Sequence, residues 1–81
     1  MNLNDAREIA RIEDLHNINW YAKSNLRANQ VGISKNNNEW IVYVTDERAS
    51  IVPASIAKFS SEDGALDILI QKARFGKKYL L

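Results

Sequence analysis

The sequence predicts an α+β domain of order α-β-β-β-α, a three-stranded antiparallel sheet with two helices on one face. Three observations carry this. Trp40-Ile41-Val42-Tyr43-Val44-Thr45 is an unbroken run of β-branched and aromatic residues, apolar on both faces, as in the middle strand of a sheet. Apolar residues recur at helical spacing near both ends of the chain. The connections between the strand-like segments are short, which makes neighbours antiparallel and puts both helices over the face that must avoid water.

The first helix is expected from Leu3 to about His16. Asn2 or Asn4 can cap it, and Asp5 and Glu8 place negative charge in its first turns. Ala6, Ile9 and Ile12 share its apolar face, with Leu3 and Ala10 at the margin. His16 falls near that face as a packed or capping residue. Asn17-Ile18-Asn19 breaks the pattern, and Trp20 to Lys35 reads as extended. Leu26 and Ala28 have one parity and Val31 and Ile33 the other, so a bulge, or a loop followed by a shorter strand, is expected at Asn29-Gln30. Val31–Lys35 is the firmest part of that strand.

Asn36-Asn37-Asn38 is a turn, because asparagine tolerates positive φ and bonds its own backbone. The strand Trp40–Thr45 then returns with Trp40, Val42 and Val44 on one face and Ile41, Tyr43 and Thr45 on the other. Asp46-Glu47-Arg48 reverses the chain into a third strand, Ser50 to Phe59, where Pro53 removes a ladder donor and marks an edge. The last helix opens at Ser60-Ser61-Glu62-Asp63, with Ser60 as cap. Ala65, Leu66, Leu69, Ile70 and Ala73 form its core stripe, Gly76 is a candidate for its end, and basic residues follow. Ile68 and Phe75 lie outside that stripe beside Lys72. They can tuck under the Tyr79–Leu81 tail or anchor a partner.

Residues 1–81 make one domain, with 46% hydrophobic and 26% charged residues, values of ordinary globular proteins. There is no cysteine, so neither a disulfide nor a thiolate site can form. The start of the chain lacks a basic region followed by an apolar run, and no stretch approaches a membrane-spanning length; a cytoplasmic protein without membrane association is the expectation. The net charge of +1, from 11 basic and 10 acidic residues, argues against binding driven by overall charge.

Reactive constellations are absent from the pattern. A single histidine has no nucleophile elbow around it, Gly32, Gly64 and Gly76 are too scattered for a phosphate cradle, and the acids are dispersed. Neither catalysis nor a cofactor is expected. The α-β-β-β-α order is shared with double-stranded-RNA-binding domains, which makes a nucleic-acid-binding regulator one alternative. Against it, Glu62 and Asp63 stand where the second helix would meet phosphates. A small homodimeric structural protein, pairing through the uncovered sheet face or the Pro53 edge, is another. In this topology Asp5, Glu8, Glu39, Glu62, Asp63 and Asp67 collect at one end, and Arg74, Lys77 and Lys78 join the Asp46–Arg48 turn at the other. That polarity serves helix-end complementarity or the steering of a protein partner.

Trp40-Ile41-Val42-Tyr43-Val44-Thr45-Asp46-Glu47-Arg48-Ala49-Ser50, followed by Phe59-Ser60-Ser61-Glu62-Asp63-Gly64-Ala65-Leu66, resembles the small α+β immunity proteins of bacterial polymorphic toxin systems, in particular immunity protein family 59. Members carry a strand ending in a "Y-x-T-[DN]-E-R" run, which Tyr43, Thr45, Asp46, Glu47 and Arg48 match. An acidic stretch with "E-A-L" and a basic end containing arginine follow, fitted by Glu62, Ala65, Leu66 and Arg74 with Asp63-Gly64 interposed. The likeness spans residues 40–78. It implies a cytoplasmic protein that binds a cognate toxin domain and neutralises it without catalysis. Tyr43, Asp46, Glu47, Arg48, Glu62, Asp63 and Asp67 are then the candidate partner contacts, with a purely structural role for Asp46-Glu47-Arg48 as the alternative.

Overall fold

Asn2 starts the first helix, its side-chain oxygen accepting the Asp5 amide at 2.8 Å in the computed structural model, which describes residues 1–22 and 26–79. This helix, α1, runs Leu3–Ile12 and ends before the expected His16. The stop is a Schellman motif. Asp14 adopts φ 60, the Leu15 amide donates to the Ala10 carbonyl at 2.8 Å, and the Asp14 amide donates to Arg11 at 3.3 Å. Aspartate is among the few non-glycine residues that enter this region at modest cost, so no glycine announces the end.

Stopping there redistributes the apolar groups. Leu15 turns into the core, whereas Ile12, expected on the core face, is 67% exposed. Ala6, as expected, and Ala10, expected at the margin, are the buried residues of α1, and their small side chains let it lie close to the second helix. His16 is exposed beside Asp14 rather than packed.

The sheet has four strands, not three, and is mixed rather than antiparallel. Its order is β1 (Ile18–Trp20), β2 (Val31–Asn36), β3 (Glu39–Val44) and β4 (Ala57–Phe59). β1 is the addition, running parallel to β2 with Ile18 opposite Val31 and Trp20 opposite Ile33. A three-residue strand flanked and interrupted by asparagines has no periodicity to betray it. It is held by its neighbour, as where the Val31 amide donates to the Asn17 carbonyl at 2.8 Å. Asn29, at φ 56, makes the turn into β2, so the parity switch marks a loop followed by a shorter strand.

β2 and β3 form the expected hairpin, with Asn37 at φ 58, and β3 lies between β2 and β4. The predicted third strand contracts to its last residues. Ile51 makes an isolated bridge to Thr45, Pro53–Ser55 form a 3-10 turn, and only Ala57–Phe59 pair with β3, as an edge. Proline, with no amide hydrogen, starts the turn instead of continuing a ladder.

The face of β3 carrying Trp40, Val42 and Val44 meets the helices. Ile33 and Val42 are fully buried there together with Ala6, Leu66 and Leu69. The second helix, α2 (Glu62–Tyr79), is capped by Ser61, not Ser60: the Ser61 Oγ accepts the Gly64 amide at 3.3 Å. Its stripe of Ala65, Leu66, Leu69, Ile70 and Ala73 is buried throughout, each large apolar side chain contributing about 1.5–3 kcal/mol. α2 does not end at Gly76. That glycine is buried mid-turn where a Cβ would come within 2.8 Å of the Asn17 Nδ2, so it admits the loop before β1.

Both helix N-termini lie at the same end, with the Met1 amino nitrogen 3.0 Å from the Asp67 carboxylate. At the other end Arg74 donates through Nε to Glu13 at 2.7 Å, and Lys77 reaches the Glu13 carbonyl. Among the described residues no helix is long and apolar enough to cross a membrane.

Candidate partner-binding site

The run Tyr43 to Arg48 divides between fold and surface. Tyr43 is 5% exposed, its ring lying where a Cβ on Gly32 would stand, 2.2 Å away. Glycine is required in β2 for that close approach, and burial raises the Tyr43 phenol pKa. Thr45 is also buried. Its hydroxyl donates to the Arg27 carbonyl at 2.6 Å and accepts the Gln30 amide at 2.8 Å, holding the turn into β2.

Asp46 builds the turn that follows. One carboxylate oxygen accepts the amides of Arg48 at 2.9 Å and Ser50 at 3.0 Å, and Ala49 adopts φ 63 within it. Only Glu47 and Arg48 project outward, and neither has an ion-pair partner among the described residues.

The acidic end is partly engaged by the fold. Tyr21, at φ 60, donates its hydroxyl to the Glu62 carboxylate. Burial, then the Glu62 hydrogen bond and charge, push the Tyr21 phenol well above its ordinary value. Asp67 faces the Met1 amino group, leaving Asp63 as the exposed acid of the α2 first turn with no ion-pair partner among the described residues. Nothing local marks Tyr21, because its partner is far away in the chain and is reached only when β1 forms.

The opposite end has a different character. Phe75 is 60% and Tyr79 61% exposed on α2, their rings 4.6 Å apart at 43°. The tail expected to cover Phe75 is helical as far as Tyr79, and Leu80 and Leu81 lie outside the described residues. Beside these rings is a groove of about 660 Å³ between α2 and the sheet, walled by Val31, Val44, Ile68 and Phe75 with Asn17 and Lys72. Small-molecule and side-chain pockets commonly measure about 300–1,000 Å³. Asn29 borders the groove and donates its amide to the Asp46 carbonyl at 3.1 Å, which brings the exposed Glu47-Arg48 turn to the same end.

The far face of the sheet is partly covered. Leu26 and Ile51 line a shallow depression there with Ile41 and Tyr43. Among the described residues no group of three or more histidine or acidic side chains is placed to hold a metal ion. Of the sequence-derived contacts, the structure brings Asp46, Glu47 and Arg48 together at the groove end. Glu62, Asp63 and Asp67 lie together at the other end, and Tyr43 is buried. Comparison with protein-family models, curated proteins and solved structures gives no match for this chain.

Proposed function

We propose that this chain is a binding protein of the immunity type, which occupies a cognate toxin domain in the cytoplasm and neutralises it without chemistry of its own. The observation that carries the binding part is the exposed Phe75–Tyr79 pair beside the groove. Paired aromatic rings on a rigid helix, next to an apolar concavity and bordered by charged side chains, have the makeup of an interface hot spot. The identity of the partner rests on the resemblance carried by Tyr43-Val44-Thr45-Asp46-Glu47-Arg48. Within that run, Glu47 and Arg48 face the partner, while Tyr43, Thr45 and Asp46 hold the turn that presents them.

The test is co-expression. A toxin domain encoded in the neighbouring reading frame should kill cells alone and spare cells that also carry this protein. The two should then co-purify as a one-to-one complex. Continued killing in the presence of well-folded protein ends the proposal.

A further inference from the structure

We draw no further inference here: the strongest candidate, the groove between α2 and the sheet walled by Val31, Val44, Ile68 and Phe75, is an unpartnered apolar surface, and nothing in the structure shows what covers it.

Discussion

The two ends of α2 carry opposite charge and stand in opposite relation to the fold. At the N-terminal end, Glu62 accepts the Tyr21 hydroxyl, Asp67 faces the Met1 amino group, and Ser61 caps the helix. At the C-terminal end, Arg74 is paired with Glu13, but Lys72 and Phe75 line a groove, Tyr79 stacks beside Phe75, and Lys72 has no ion-pair partner among the described residues. Both ends looked like candidate interfaces from charge alone. The difference teaches that a cluster of charge identifies a partner site only after the internal contacts have been subtracted. What remains at the acidic end is chiefly Asp63; what remains at the other is an aromatic pair, a cavity and cations that have no ion-pair partner among the described residues.

The largest effect tests how much of the resemblance-bearing run belongs to the fold. Tyr43→Ala should cost about 3 kcal/mol, because a ring seated over Gly32 leaves a void when removed. Chemical denaturation reads this directly, and a near-neutral result would return Tyr43 to the list of partner contacts. Next, Phe75→Ala with Tyr79→Ala should weaken toxin-domain binding at least about 30-fold, as for an interface hot spot, with stability changed by no more than about 0.5 kcal/mol. Calorimetric titration beside a thermal melt checks both halves. Intact affinity would remove the contrast between the two ends.

Glu62→Lys with Asp63→Lys sharpens the comparison from the other side. It removes the Tyr21 acceptor and reverses charge at a helix N-terminus, for an expected loss of about 1.5 kcal/mol with binding retained. A fall in affinity at unchanged stability would move the interface to the acidic end. Tyr21→Phe is the smallest of the series, costing about 0.5–1 kcal/mol at neutral pH. Its sign with pH follows from a phenol pKa raised in the folded state. The contribution of Tyr21 is complete below the unfolded value of about 10 and is lost as pH rises from there toward the folded value. Wild type should therefore lose stability more steeply than Tyr21→Phe above about pH 10, as read by denaturation at stepped pH.

Much of the fold was legible because several elements carry their instructions locally. The stripe from Ala65 to Ala73, the apolar run ending at Thr45 and the asparagine turn each declare themselves by spacing, composition or turn chemistry. Where the reading failed, the deciding interaction was remote or the local signal permissive. α1 stops at Asp14 without a glycine, and Gly76 resembled a helix terminator when its role is to admit Asn17. The groove was hinted at by Ile68 and Phe75 lying off the core stripe. Its floor was not, since Asn17 reached it only through the unforeseen β1.

By itself, the sequence determined the α+β class, the two helices, the central strand and the polarity of charge, because propensity, periodicity and helix-end electrostatics act over a few residues. Tertiary structure decided the rest. It added a parallel edge strand, selected the Trp40-Val42-Val44 face for burial, buried Tyr43 and left the aromatic pair of α2 exposed. These outcomes turn on pairing and packing between segments far apart in the chain, where a three-residue strand is stable only once its neighbour exists.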